Sequence, residues 1–139
     1  MYEAVVVGNL KEDSFQINLP IGRHPVNRKK MAVTYENSRN AVSNVEVIKR
    51  YGKYTHIRVF LETGRTHQIR VHLSHIGHPV LGDEVYSPEL TKFRGLKGQC
   101  LLAKFIEFVH PIYGNTLSFN AEMPEYFKNV ISFLEKTSI

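Results

Sequence analysis

Apolar and polar residues alternate through Tyr2, Ala4, Val5, Val6 and Val7 before Gly8, and again through Phe15, Ile17 and Leu19 before Pro20. The pattern predicts two strands joined by the polar turn NLKEDS. A second pair, NVEVIKRYG and YTHIRVFLETG, flanks the turn YGKY. Its alternate positions Val45, Val47, Ile57, Val59 and Leu61 predict a hairpin with one face on a core. After Gly64 the apolar period lengthens from two to about 3.6 residues. Ile69, Leu73 and Ile76 then fall at helical spacing, which predicts a helix over 66–76 that Gly77 terminates. The segment HPVLGDEVYSPELTKFRGLKGQ is turn-rich, CLLAKFIEFVHP and NTLSFNAEM predict another hairpin, and Pro124 opens a C-terminal amphipathic helix with Phe127, Val130, Ile131 and Leu134 on one face. No repeat, low-complexity tract or linker interrupts the chain. The expected architecture is one α+β domain with a mixed, mainly antiparallel sheet and both helices packed on it.

Composition adds a partner class. Lys and Arg number 18 against 13 Asp and Glu, giving a formal charge of +5, with 42% hydrophobic residues in 139. That is enough chain for one core, and the charge favours a polyanion. The stretch PIGRHPVNRKK carries Arg23, Arg28, Lys29 and Lys30 with no acid, two prolines and a glycine, which predicts an exposed basic loop. A lone cysteine, Cys100, allows no internal disulfide and suits a reducing compartment. The N-terminal apolar run is too short for a signal peptide or a membrane span, so a soluble, cytoplasmic protein is expected.

The chemistry concentrates in LETGRTHQIRVHL, residues 61–73. On a helix starting near Thr66, the residues Thr66, His67 and Arg70 share a face beside the Ile69–Leu73 seam, placing Arg70 at the edge of the core. A guanidinium there needs an anion. Glu62 or Asp83 of this chain would make a structural ion pair, whereas a catalytic carboxylate or a phosphate would make a functional one. His67, His72, His75 and His78 recur at short spacing, yet His67 and His72 diverge around a helix and no thiolate or carboxylate cluster joins them, so no metal is expected. His75 and His78 are expected to cap carbonyls or to line a binding surface. Nothing pairs Cys100 with a particular histidine, and it reads as core.

The run LETGRTHQIRVHLSHIGHPVLGDEVY closely resembles the signature segment of the Rlu family of RNA pseudouridine synthases. YEAVVVG is similar to that family's Tyr-x-Ala-x-Val-x-Gly strand, LPIGRHPVNRKKMAV to its basic loop, and QCLLAKFIEFVHP to its Gln-x-Leu-His-Ala…Phe-x-His-Pro strand. The resemblance implies an isomerase that needs no cofactor. In it an aspartate breaks the bond between uracil and ribose and the base is reattached through carbon 5. It also implies catalytic-site roles by position. Tyr2 would pack against the base, Arg70 would pair with the aspartate, and Leu101 would wall the pocket. RNA, ribosomal or transfer, is the implied partner, with Arg23, His24, Arg28, Lys29, Lys30, Arg65 and His67 expected to contact it.

The family's aspartate lies in an His-Arg-Leu-Asp-x-x-Thr-Ser-Gly motif that precedes the tyrosine strand, and these 139 residues do not contain that motif. Residues 1–139 are therefore expected to form the C-terminal portion of a catalytic domain, inactive alone and with an exposed sheet edge prone to self-association. The alternative is a non-catalytic RNA-binding or protein-interaction module built on the same fold. The chain also departs from the family's Gly-Lys-x-Ala-x-Thr pattern, reading SRNAVSN, and has Leu102 where the family often has histidine.

Overall fold

The computed structural model describes residues 1–86, 88, 93, 96 and 98–137. Its strands are β1 (Tyr2–Val7), β2 (Ser14–Asn18), β3 (Ile21–Arg23), β4 (Met31–Val33), β5 (Ser38–Arg39), β6 (Val42–Arg50), β7 (Tyr54–Leu61), β8 (Leu101–Ala103), β9 (Phe105–Val109) and β10 (Thr116–Asn120). Its helices are α1 (Gln68–His75) and α2 (Glu125–Thr137). Five strands form the main sheet in the order β2-β6-β7-β1-β8, every neighbour antiparallel.

The continuous apolar run of β1 is explained by burial on both faces. Ala4 and Val6 join Ile57, Val59 and Val45 on one face, beneath Ile69 and Leu73 of α1. Val5 joins Tyr51, Leu81, Cys100 and Leu102 on the other, beneath Phe127, Val130 and Leu134 of α2. The predicted core positions of the central hairpin hold, with Val47 and Leu61 only partly buried. α2 buries the predicted stripe, with Ile131 at its margin.

Two expectations need correction. α1 starts at Gln68, so Thr66 lies outside it, and His67 is the N-cap with φ 55°. The expected loop after Pro20 is instead a short hairpin. β3 pairs with β4 and β5 in a three-stranded sheet, and Ile21 and Gly22 are buried. A Cβ on Gly22 would stand 2.7 Å from the Asn37 carbonyl oxygen, so β3 and the strand beside it approach more closely than any side chain permits. In the turn-rich segment, residues 87, 89–92, 94, 95 and 97 lie outside the described residues.

The helix ends as expected. Gly77 (φ 86°) takes the left-handed position while His78 donates its N–H to Leu73 and Gly77 donates to Ser74, both bonds of a Schellman cap. The chain then turns back, bridges Val80 to Val6, and delivers Asp83 to the flank of α1. β9 and β10 form a separate ribbon with Ile106, Phe108 and Phe119 exposed, and β2 and β8 are the edges of the main sheet.

Candidate active site and nucleic-acid interface

Arg70 reaches Asp83 with two parallel bonds, Nε to Oδ2 at 2.8 Å and Nη2 to Oδ1 at 3.0 Å. The Arg70 side chain is 10% exposed and that of Asp83 1%, so the pair is desolvated and its two-pronged geometry is specific. Asp83 Oδ1 also accepts the N–H groups of Val85 and Tyr86. Burial pushes the Asp83 carboxyl up, but the Arg70 bond and the two N–H donors outweigh it and hold the group below its ordinary range. The Asp83 bond in turn raises Arg70, against burial. Of the two acids weighed for Arg70, Asp83 is the partner. Glu62 instead accepts from Gln16 and Asn44 across the sheet. Asp83 is committed to this clamp, while Nη1 of Arg70 makes no hydrogen bond among the described residues.

Tyr86 closes the other side. Its ring lies 5.1 Å from the Arg70 guanidinium, its hydroxyl is 2.6 Å from His67 Nδ1, and the same oxygen accepts the Met31 N–H at 3.2 Å. These contacts hold His67 in a left-handed backbone conformation that costs a non-glycine residue about 1–2 kcal/mol. Burial, then the neighbouring Arg70 charge, lowers the His67 pKa, with Asp83 opposing. His67 and Arg70 thus share a neighbour, through Tyr86 rather than through helical spacing. Nothing in the pattern reading of LGDEVY marked Tyr86.

Behind them α1 is anchored by a buried polar network. Gln68 donates to the Val42 carbonyl and to Ser43 Oγ while its own Oε1 accepts from Thr63 Oγ1 and the Arg65 N–H. Ser43 Oγ, already an acceptor, is left to donate to His72 Nδ1 at 2.8 Å, and His72 Nε2 donates to the Leu19 carbonyl at 2.8 Å. That arrangement describes a neutral imidazole. Burial lowers the His72 pKa accordingly, with the Leu19 bond opposing.

Tyr2 and Leu101 pack against the α1-side core beside Ile69 and Leu73. The sheet places both there, since Tyr2 stands opposite Val59 and Leu101 opposite Ala4. Arg70 follows Ile69 on α1, but its guanidinium turns to Asp83 and Tyr86.

The basic residues are partitioned. Arg23, Arg28 and Arg65 line a cleft of about 700 Å³ between the three-stranded sheet and the 64–66 turn. Arg39, for which SRNAVSN gives no local signal, lines it too. Lys29 and Lys30 stand at the hairpin tip outside it, and His24 Nδ1 is spent on the N–H groups of Val26 and Asn27, shaping that tip. The histidines go separate ways: His67 to Tyr86, His72 to Ser43 and Leu19, and His78 to the Val7 carbonyl, which is not a helix carbonyl. Among the described residues no group of three metal-ligating side chains occurs. Cys100 is buried, and burial raises its thiol to about 12. No helix among the described residues is long and apolar enough to cross a membrane.

The described residues thus set a sheet between α1 and α2 and carry a buried Arg–Asp clamp and a basic cleft. The chain belongs to the RNA pseudouridylate synthase family, whose model matches residues 1–75. It is 45% identical over 145 residues to an uncharacterized RNA pseudouridine synthase of Aquifex aeolicus, covering 99% of this chain and 46% of that protein. It is 42% identical to ribosomal large subunit pseudouridine synthase D of Pseudomonas aeruginosa, over 98% of this chain and 45% of that one. The chain therefore spans about half the length of the curated relatives it matches. The solved structure of human RNA pseudouridylate synthase domain containing 1 superposes with a TM-score of 0.78 at 22% identity, over 98% of this chain and 65% of that one. That likeness shows the fold.

Proposed function

We propose that this chain supplies the arginine, tyrosine and leucine walls of a site that isomerises uridine to pseudouridine in structured RNA, with the nucleophilic carboxylate coming from outside these 139 residues. The observation that carries the reading is Arg70. Its Nε/Nη2 edge is locked to Asp83, so the guanidinium is rigid, charged and nearly dry, and its Nη1 remains for a second carboxylate. A carboxylate bonded there stays ionised and oriented for attack. Tyr2 presents its ring to a base taken out of the RNA stack, and Leu101 closes the apolar wall. Arg23, Arg28 and Arg65, with Lys29 and Lys30 at the hairpin tip, contact phosphates, and His67, next in sequence to the lining residue Thr66, joins them. The names of relatives such as the synthase D proteins favour ribosomal over transfer RNA.

The test is incubation with unmodified ribosomal and transfer RNA followed by chemical mapping of pseudouridine. The 139-residue chain is expected to form none. Joined to the N-terminal half of the Pseudomonas aeruginosa relative it forms pseudouridine, and Arg70→Ala in that longer protein lowers kcat/KM by about 3–5 kcal/mol of transition-state stabilisation. Turnover by the chain alone, or none by the joined protein, overturns the reading. The β2 and β8 edges and the apolar face of the β9–β10 ribbon support self-association of the chain, which light scattering at rising concentration tests; a strict monomer refutes it.

A further inference from the structure

The two bonds to Asp83 fix one edge of Arg70 and leave one motion soft. A planar guanidinium gripped at Nε and Nη2 can still rock about the line that joins those nitrogens. With conjugated C–N bonds of about 1.33 Å, Nη1 stands about 2 Å beyond that line, so a rock of about 30° carries it roughly 1 Å out of plane. A misplacement of about 1 Å in the support of a reacting group costs roughly a hundredfold in rate. Whatever restrains the rocking therefore matters to an acid held at Nη1.

Tyr86 is placed to restrain it. The centre of its ring lies 5.1 Å from Arg70 Cζ, against the guanidinium face. The ring is itself held. Its phenol oxygen accepts the Met31 N–H and lies 2.6 Å from His67 Nδ1, and it meets the His67 ring edge to face at 84°. With Met31 and Val33 it packs on Ile21, Ala41 and Val71. The backbone adds a reference point: the Tyr86 N–H donates to Asp83 Oδ1, the same oxygen that accepts from Arg70 Nη2, and the Tyr86 carbonyl accepts from Ser74 Oγ at 3.1 Å. Ring and clamp are thus set relative to each other by one carboxylate oxygen.

We propose that Tyr86 is a positioning residue of the isomerisation: its ring stops Arg70 from rocking on the Asp83 hinge and so fixes the direction in which Nη1 meets the nucleophilic carboxylate. It acts through Arg70 alone and deepens the isomerase reading, on which it rests. A ring that only filled the small core under the three-stranded sheet would cost stability when removed. A positioning ring costs turnover while RNA affinity holds, because the oriented donor serves the reacting carboxylate rather than the bound RNA.

The experiment has two readouts. In the 139-residue chain, NMR follows the Arg70 Nε–H group. Tyr86→Leu is expected to move its resonance and to quicken its exchange with solvent at least about threefold, whereas Tyr86→Phe, which keeps the ring, leaves the resonance nearly in place. In the joined protein, at a temperature where every variant is folded by circular dichroism, Tyr86→Leu is expected to lower kcat about thirty- to hundredfold with KM for RNA within about twofold. Tyr86→Phe recovers kcat to within about fivefold of the unsubstituted protein. Val130→Ala, a packing loss beneath α2 on the far face of the sheet, leaves kcat within about twofold. A kcat within about threefold for Tyr86→Leu overturns the proposal, as does an equal loss in Tyr86→Phe or in Val130→Ala. An Nε–H resonance unmoved by Tyr86→Leu overturns it whether or not the joined protein turns over. Absence of pseudouridine formation by the unsubstituted joined protein is the separate failure of the reading beneath it, and the proposed role falls with that reading.

Discussion

Replacing Asp83 with alanine strips the acid from a clamp in which both side chains are almost dry, 10% and 1% exposed. Removing one member of such a pair leaves the other charge buried and unpaired, which costs about 3–5 kcal/mol. Two N–H groups, of Val85 and Tyr86, lose their acceptor as well, but both are only part-buried and water offsets much of that loss. The expectation is a loss of about 3–5 kcal/mol in urea unfolding with an unchanged m value, or roughly 10–15 °C in Tm for a chain of this size. Arg70→Met is expected to cost a similar amount. The double variant Arg70→Met/Asp83→Leu, which replaces both ions with apolar groups, recovers at least about 2 kcal/mol relative to the sum of the single losses. Acid titration supplies an independent reading. Asp83 is held below its ordinary value of 3.8, so the unfolded chain binds its proton first as pH falls. The contribution is complete above that value and fades as pH falls through the lower folded value, and Asp83→Ala flattens this limb. Salt at about 1 M leaves the difference intact, because a buried pair is poorly screened. A loss under about 1 kcal/mol for Asp83→Ala, or additive single variants, refutes the account of a coupled, desolvated clamp.

Tyr86→Phe removes the hydroxyl that His67 and Met31 share and is expected to destabilise by about 1–2 kcal/mol, with loss of hydrogen-exchange protection at the Met31 amide; full protection contradicts the bond. The histidines His56 and His72 are both lowered, chiefly by burial, from an ordinary 6.5. Stability is therefore complete above that pH and declines as pH falls below it, since the unfolded chain takes the protons first. His72→Gln reduces this decline, as followed by Tm from pH 7.5 to 5 (about one step each side of the histidine range), and an unchanged decline assigns it elsewhere. Gly22→Ala, whose Cβ meets the Asn37 carbonyl at 2.7 Å, is expected to weaken RNA binding without altering charge, because it pushes β3 from β5; equal affinity with unchanged chemical shifts at Arg39 refutes the link between packing and cleft.

What the pattern disclosed was what burial dictates. β1 is legible because Ala4 to Val7 make an unbroken apolar run, as burial on both faces favours, even though Glu3 is buried in the same strand, and α1 because Ile69 and Leu73 follow the period of a helix on a sheet. β3, β4 and β5 escaped because strands of two or three residues carry no alternation, and their pairing rests on Gly22 and on contacts with α1. The start of α1 was misplaced since its N-cap is a left-handed His67, held by a tyrosine nineteen positions on. Local propensity cannot anticipate such a contact. Arg39 carries no signal of its own in SRNAVSN, because it reaches the cleft only through the pairing of β5 with β3.

The structural and catalytic readings of Arg70 differ in which edge of the guanidinium they use. A guanidinium has five N–H groups in a fixed plane. Asp83 takes the Nε–H and one Nη2–H, Tyr86 covers the face, and both Nη1–H groups and the second Nη2–H make no hydrogen bond among the described residues. Without Asp83 the arginine would swing toward whichever acid came nearer, and its chain of rotatable bonds would leave that acid poorly fixed. With one edge clamped, the plane is set before any second carboxylate arrives, and the ordering entropy of the long side chain has already been met by folding. Lysine offers no second edge, so Arg70→Lys would preserve a pairing with Asp83 while giving up the oriented donor. The buried Arg–Asp pair fixes the guanidinium plane, which is what the proposed role of Arg70 toward a second acid requires.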